Sequence, residues 1–227
     1  MYIDFHRPVL AIDTSTSFLS LALRANGKLF MRHIEAGNKQ SELILPLIGE
    51  LFAEAGINAA DLAAVVYAQG PGAFTGLRIG TGVAQGLATP FDTPLIGVPC
   101  LDAVAFQISA PYVLAATDAR MGEVFYAWFD TAAGHRLSDY QVGKAADIAA
   151  PEHAAYAHIQ GIGNAFALDG KPPFNGHSAM PTAEDYLNLA ASGRYQATDA
   201  AHAELLYVRN KIALTAKEQA DRKGGQT

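Results

Sequence analysis

The sequence has a single cysteine, Cys100, among its 227 residues. One thiol cannot close a disulfide within the chain, and it cannot supply a zinc site built from several cysteines. Since a chain without disulfides suits a reducing compartment, we expect a cytoplasmic protein. No histidine lies near Cys100 in the sequence, so we interpret it as a buried, inert thiol rather than a nucleophile.

Long apolar runs are also absent. The apolar run at residues 9–12 is too short for the core of a secretory signal, and no run approaches the roughly 20 residues of a membrane-spanning helix. Positive charge is scarce too, with 16 basic residues against 22 acidic ones and a net charge of −6. We therefore expect no membrane contact, and no binding of nucleic acid by this chain alone through counterion release.

Several motifs of known chemistry are missing. There is no His-Glu-x-x-His zinc site and no Gly-x-Ser-x-Gly nucleophile turn, which disfavours a peptidase. His153 and His158 are five residues apart, a spacing that does not place both on one helix face. The sequence therefore predicts no metal site.

The most distinctive stretch joins an apolar strand to a glycine-rich helix. Residues 65–68 predict a buried strand, residues 70–72 a tight turn, and residues 75–87 a helix with Thr75 as its N-cap. The turn lacks the lysine of a Walker phosphate loop and the third glycine of a dinucleotide fingerprint. Glycine costs about 1 kcal/mol relative to alanine inside a helix, so we expect other backbone to lie close to the glycine faces. The recurring glycines are Gly72, Gly76, Gly80, Gly82 and Gly86.

The first half of the chain predicts three strands followed by alternating helices and strands. Because an Asn-Gly pair at 26–27 favours a tight hairpin, we expect the first three strands to be antiparallel. The later strands fit right-handed crossovers and parallel pairing, an order typical of a ribonuclease-H-like unit. The strands are Pro8–Asp13, Phe18–Leu23, Lys28–Ile34, Asp61–Ala68 and Thr93–Val98, and the helices are Ser41–Ala55, Thr75–Leu87 and Pro99–Ser109.

The second half repeats, in weaker form, the pattern of strand, acid, polar turn and strand. Tyr112–Asp118 and Glu123–Phe129 predict the hairpin, and Thr182 caps a helix that ends at Ala191. We therefore predict an α/β protein of two similar halves, residues 1–110 and 111–227, the second of them degenerate. Further elements are predicted at Leu137–Tyr140, at Ile159–Ile162 and, as a final helix packing back across the halves, at Leu205–Lys217.

The first predicted helix is apolar over more than one face. Ser41 is its predicted N-cap, and Gly56 suits the position just after its end. A face wider than one sheet can cover indicates that the helix is either sandwiched inside its own protein or docked on a partner. The pattern alone leaves both open. The apolar positions are Leu43, Ile44, Leu45, Leu47, Ile48, Leu51, Phe52 and Ala55.

Four stretches together resemble the TsaB (YeaZ) family: residues 10–16, 41–46, 70–78 and 118–126. The string Gly-Pro-Gly-Ala-Phe-Thr-Gly-Leu-Arg at 70–78 is the most specific of them. The resemblance implies the α/β fold of the actin-like ATPase (ASKHA) superfamily, with two ribonuclease-H-like halves. It also implies a non-catalytic scaffold subunit of the bacterial cytoplasm, needed to place threonylcarbamoyl on the adenosine beside the anticodon of transfer RNA.

The resemblance further implies protein partners. The chain would dimerise with a catalytic paralogue, TsaD, and recruit a small ATPase, TsaE, with tRNA contacted only through the complex. A homodimer of the isolated chain is left open. The contact with TsaD is placed on the first two helices, which decides for docking. The predicted interface residues are Leu43, Ile44, Leu47, Ile48, Leu51, Thr75, Arg78, Ile79 and Val83.

The resemblance also places candidate phosphate turns at the ends of the first strand of each half. These are positions where an actin-like ATPase holds phosphate and magnesium, and we expect a vestigial pocket. Arg120, in the second turn, has two candidate partners, a phosphate or Glu123. The candidate residues are Asp13, Thr14, Ser15, Thr16 and Asp118.

The resemblance implies no catalytic residue in this chain. Gln40 and Ile44 stand where the catalytic paralogue carries two metal-binding histidines, and neither side chain can replace an imidazole ligand. We expect no cofactor for the isolated chain, and ATP or ADP with Mg²⁺ is left open for the full complex. The alternative function is an independent actin-like ATPase, and a peptidase is less favoured.

Overall fold

Two mixed β-sheets form the frame of the molecule, one in each half. The structure, a computed structural model, describes residues 3–152 and 154–208. No helix within these residues combines the length and apolar character needed to cross a bilayer. The first half contains β1 (Val9–Asp13), β2 (Phe18–Ala25), β3 (Lys28–Glu35), α1 (Gln40–Ala55), β4 (Ala64–Gly70), α2 (Phe74–Ala88), β5 (Leu95–Pro99) and α3 (Cys100–Ala105). The remaining elements are β6 (Tyr112–Arg120), β7 (Glu123–Asp130), β8 (His135–Arg136), β9 (Gln141–Gly143), β10 (Ile159–Ile162), β11 (Gly176–His177), α4 (Ala183–Ala191) and β12 (Ala197–Thr198).

Both sheets share one arrangement of strands. In the first, β1 pairs antiparallel with β2, β2 pairs antiparallel with β3, and β4 and then β5 add in parallel on the other side of β1. In the second, β6 pairs antiparallel with β7 and parallel with β10, and β11 follows β10. All five residues of β1 are buried, as expected for a central strand covered on both faces. The predicted α/β fold of two ribonuclease-H-like halves is confirmed.

The chain returns to the first sheet after residue 182. Tyr186 and Leu187 of α4 are fully buried in the core of the first half, and β12 extends the first sheet by pairing antiparallel with β5. The predicted capping box is confirmed, since the N–H of Thr182 donates to Asp185 Oδ2 at 2.7 Å. A helix and a strand that follow the second half in sequence therefore complete the first half.

The start of α1 differs from the prediction. Ser41 is not the N-cap, because a short 3₁₀ turn leads into the helix and α1 already begins at Gln40. The end of the helix agrees with the prediction: Gly56 takes a left-handed conformation with φ 67° just after the last residue.

The start of α2 also differs. Thr75 is not the N-cap, because the helix begins at Phe74 and Ala73 precedes it. The N–H of Ala73 donates to the Ser15 carbonyl at 2.8 Å, and this bond to the turn after β1 sets where the helix begins. Tertiary contact rather than local capping chemistry therefore determines this end.

The predicted strand Leu137–Tyr140 is wrong. Two shorter strands, β8 and β9, flank this segment, and both pair with β7. The N–H of Trp128 in β7 donates to Ser138 Oγ at 3.0 Å instead of to a backbone carbonyl. A side-chain oxygen in place of a carbonyl interrupts the ladder at that point.

The predicted final helix, Leu205–Lys217, is wrong in its described part. Residues 205–208 are not helical, and the N–H of Leu206 donates to the carbonyl of Gln69, at the end of β4, at 2.8 Å. Residues 209–217 lie outside the described residues.

Candidate functional site

A cleft of about 490 Å³ separates the two halves. Its walls come from the turn after β1 and the start of α2 in the first half, and from the turn at the end of β6 in the second. Of the predicted phosphate-turn residues, Ser15, Thr16 and Asp118 line the cleft. The structure therefore brings the two predicted turns together, as parts of opposite walls.

The turn after β1 is held by its own hydrogen bonds. Asp13 is 4% exposed, and its Oδ1 accepts the N–H of Ser15 at 2.8 Å. Thr14 Oγ1 donates to the Gly76 carbonyl at 2.7 Å, so this hydroxyl binds α2. Burial raises the pKa of Asp13 above its ordinary value of 3.8, and the hydrogen bonds from Ser15 offset only part of that rise. Asp13 and Thr14 thus serve the turn itself, and Ser15 and Thr16 border the cleft.

We expect Asp13→Asn to stabilise the protein at pH 7. Asparagine keeps the oxygen that accepts the Ser15 N–H and removes a charge that burial disfavours. A carboxyl whose pKa is raised by folding binds a proton more readily in the folded state. The stability of the wild type therefore rises as the pH falls through the folded pKa toward 3.8, and the advantage of asparagine shrinks over that interval.

Urea unfolding of both proteins at neutral and acidic pH measures this difference. Asp118→Asn is the control, because that carboxyl is partly exposed and a much smaller gain is expected. A lower free energy of unfolding for Asp13→Asn at pH 7 would contradict the burial argument.

The turn at the end of β6 repeats the geometry of the first turn. Asp118 Oδ1 accepts the N–H of Arg120 at 2.8 Å, and the Arg120 guanidinium lies 3.5 Å from Asp118 Oδ2. Arg120 therefore pairs with Asp118, a partner that the sequence analysis did not consider. The arginine side chain is 83% exposed, so this ion pair adds little stability. It does place a positive charge against the carboxylate that borders the cleft.

Gln40 and Ile44 have structural roles. Gln40 Nε2 donates to the carbonyls of Thr16 and Phe18, each at 2.8 Å, and so ties the start of α1 to the turn after β1. Ile44 is 1% exposed and packs in the core. Within residues 3–152 and 154–208, no three His, Cys, Asp or Glu side chains come together as a group that could hold a metal ion.

Cys100 is a buried free thiol. Burial raises its pKa to about 12, and the nearby Asp13 carboxylate adds to the rise. Such a thiol stays protonated at neutral pH and is a poor nucleophile. The interpretation of Cys100 as an inert thiol is confirmed, and this disfavours a cysteine peptidase.

The 204–208 segment forms a wall of the cleft that the sequence analysis missed. Tyr67 Oη and Gln69 Nε2 donate to the Glu204 carbonyl at 3.0 and 3.2 Å, which fixes the segment along the end of β4. Residues 205–208 then line the cleft. Their sequence, Leu-Leu-Tyr-Val, fits an extended chain as well as a helix, and this ambiguity was the available signal.

The predicted partner residues divide between the protein's own core and its surface. Ile44, Ile48 and Leu51 are at most 2% exposed and pack inside the first half. The other six reach the surface of α1 and α2. We define the α1/α2 face as these six residues together with two glycines: Leu43, Leu47, Thr75, Arg78, Ile79, Gly82, Val83 and Gly86. Its role as an interface stays a prediction.

The glycines of α2 divide in the same way. A Cβ at Gly76 would lie 2.0 Å from the Thr14 carbonyl oxygen, and a Cβ at Gly80 would lie 2.4 Å from Thr14 Oγ1. The predicted close approach is therefore confirmed on this side of the helix. The same expectation is wrong for Gly82 and Gly86, where a Cβ would meet nothing within 4 Å among the described residues.

Comparisons with known proteins find relatives along most of the chain. The family model "TsaD: tRNA N6-adenosine threonylcarbamoyltransferase" matches residues 34–219. The tRNA threonylcarbamoyladenosine biosynthesis protein TsaB of Escherichia coli (strain K12) is 34% identical over 229 residues, which cover 90% of this chain and 96% of that protein. The protein of the same name from Haemophilus influenzae is 41% identical over 122 residues, which cover 52% of each chain.

Solved structures agree with these relatives. YeaZ from Pseudomonas aeruginosa has a TM-score of 0.79 and 31% sequence identity, covering 88% of this chain and 99% of that one. A second structure, an uncharacterised protein with similarity to peptidase YeaZ from the same organism, has a TM-score of 0.78 and 33% identity. It covers 89% of this chain and 99% of its own. Both halves of the fold are therefore shared.

Proposed function

This chain belongs to the TsaB (YeaZ) family of tRNA threonylcarbamoyladenosine biosynthesis, and we propose that within this process it is a non-catalytic subunit. It dimerises with a TsaD-like catalytic paralogue, and the dimer recruits a TsaE-like ATPase. The complex contacts tRNA, and this chain does so only as part of it. We expect the complex in the cytoplasm.

The open side of α2 carries this proposal. Each glycine in a helix costs about 1 kcal/mol relative to alanine. Gly82 and Gly86 stand where nothing in the described part of the chain comes near, so packing within this half does not account for them. Helices without side chains at the crossing point can pack closely, and the apolar residues of the α1/α2 face surround this point. A helix of the paralogue fits such a surface.

Three polar groups that catalysis would use are already engaged. Asp13 is buried behind the cleft, Asp118 is paired with Arg120, and the Gln40 amide binds two backbone carbonyls. These engagements support a subunit that does not itself carry out the transfer.

The cleft favours one second candidate, an actin-like ATPase that acts alone. Two turns of the same hydrogen-bond geometry face each other across it, and hydroxyl groups of Ser15 and Thr16 border it. Isothermal titration with magnesium-ATP separates the two functions. The subunit reading expects no tight binding to the isolated chain, and stoichiometric micromolar binding with turnover would favour the ATPase.

Reconstitution tests the proposed function directly. Threonylcarbamoyl transfer to tRNA is measured with the paralogue and the ATPase, with and without this chain. We expect full transfer only when the chain is present, and none from the chain alone. Equal transfer without it would refute the proposal. Sedimentation of the chain by itself tests whether two copies pair when the paralogue is absent.

A further inference from the structure

The short helix α3 is shared by the cores of both halves. All six of its residues are buried. Cys100 and Ala103 pack in the core of the first half, whereas Leu101 and Val104 pack in the core of the second. Any rotation of one half against the other would therefore take place around α3.

Asp102, in the middle of α3, holds three separate segments together. Its Oδ1 accepts the hydroxyl of Tyr140 at 2.6 Å, and its Oδ2 accepts the hydroxyl of Tyr195 at 2.9 Å. Tyr140 belongs to the second half, between β8 and β9, and Tyr195 belongs to the segment between α4 and β12 that completes the first. One buried carboxylate thus bonds to both halves at once.

Two arginines reinforce this junction. The Arg136 guanidinium lies 3.9 Å from the centre of the Tyr140 ring, and the Arg194 guanidinium lies 4.5 Å from the centre of the Phe106 ring. Arg194 also reaches across to the turn after β7, where a Cβ at Gly134 would come within 2.8 Å of its Nη2. The charges facing Asp102 are therefore positive on both sides, and the contacts leave no slack.

We propose that Asp102, Tyr140 and Tyr195 form a lock that holds the two halves at one angle and keeps the cleft at one width. Hydrogen bonds to an ionised acceptor are short and strong, and they are stronger still away from water. A change of angle around α3 would lengthen at least one of them. The surface offered to a partner is then set before the partner binds, which lowers the ordering cost of association.

Distance measurement between the halves tests the lock. Spin labels on Lys28→Cys in the first half and Lys171→Cys in the second report their separation by pulsed EPR, because both lysines are exposed. Native Cys100 is buried and stays unlabelled. We expect one narrow distance distribution in the parent protein. In Tyr140→Phe/Tyr195→Phe it should broaden or gain a second distance.

A matched control removes a tyrosine hydroxyl that bonds within one half. Tyr126 Oη donates to Gln141 Oε1 at 3.0 Å inside the second half, so Tyr126→Phe should leave the distribution unchanged. Asp102→Asn, which keeps the side-chain volume, is the second variant and should also broaden it. If both lock variants keep the parent distribution, or if the control broadens as much as they do, the lock is refuted.

Discussion

An alanine at Gly76 is expected to destabilise the protein by about 3 kcal/mol, which corresponds to a fall in Tm of about 6–12 °C. The new Cβ would lie 2.0 Å from the Thr14 carbonyl oxygen, a distance that requires α2 or the turn after β1 to move. The two are joined by the bond from Thr14 Oγ1 to the Gly76 carbonyl and by the bond from the Ala73 N–H to the Ser15 carbonyl. Neither side can therefore yield cheaply.

Gly82→Ala is the matched control for Gly76→Ala. It makes the same change in the same helix, six residues on, where a Cβ meets nothing within 4 Å. Here alanine should stabilise the protein by about 1 kcal/mol through helix propensity. Thermal and urea unfolding of both variants give the comparison. Similar stabilities would mean that α2 does not pack against the turn after β1 as described.

Gly82→Gln is expected to weaken binding to the TsaD-like paralogue by about 100-fold, or about 2.8 kcal/mol, with the fold intact. The side chain enters open space in the isolated protein, so it costs nothing there. On the proposed function it stands between two closely packed helices and forces them apart. Titration of the paralogue with each variant measures the affinity.

Gly170→Gln is the control for this substitution. Gly170 is an exposed glycine of the second half, and a Cβ there also meets nothing within 4 Å. Binding should remain at the wild-type level. If Gly82→Gln binds as tightly as Gly170→Gln, the α1/α2 face is not the contact.

Leu47→Asp tests the same face from the other helix. Leu47 is partly exposed on α1, and a carboxylate there would be buried without a partner in the heterodimer, at a cost of several kcal/mol. We expect the mixed subunits to lose co-elution in size exclusion. Leu137→Asp, an equivalent change at a 41% exposed leucine of the second half, should leave co-elution unchanged.

The elements that were predicted well are those whose cause is local. The strands of both halves were identified because short apolar runs end at turn residues, and α4 because Thr182 and Asp185 cap it within four residues of each other. The order of these elements was enough to predict two ribonuclease-H-like halves. The strand predicted at Leu137–Tyr140 failed because one hydroxyl, that of Ser138, replaced a carbonyl in the ladder.

The candidate site depended on contacts between distant parts of the chain. Arg120 and Asp118 are close in sequence, yet the choice among three partners required the geometry of the turn. The bonds from Tyr67 and Gln69 to the Glu204 carbonyl join residues more than 130 positions apart, and they overrode the helix predicted from residue 205. Asp102 looked like an ordinary helix residue until the fold brought two tyrosines to it.

The sequence by itself determined the family, the order of the strands and the existence of two glycine rows on α2. Two residues of helix turn the chain by about 200°, so the row ending at Gly80 and the row beginning at Gly82 must lie on opposite sides. Only the tertiary structure decided which row faces the turn after β1 and which faces away. Helix geometry is a local property, but the direction in which a helix docks depends on residues that are far away in the chain. The surface left for a partner is therefore known only once the fold is known.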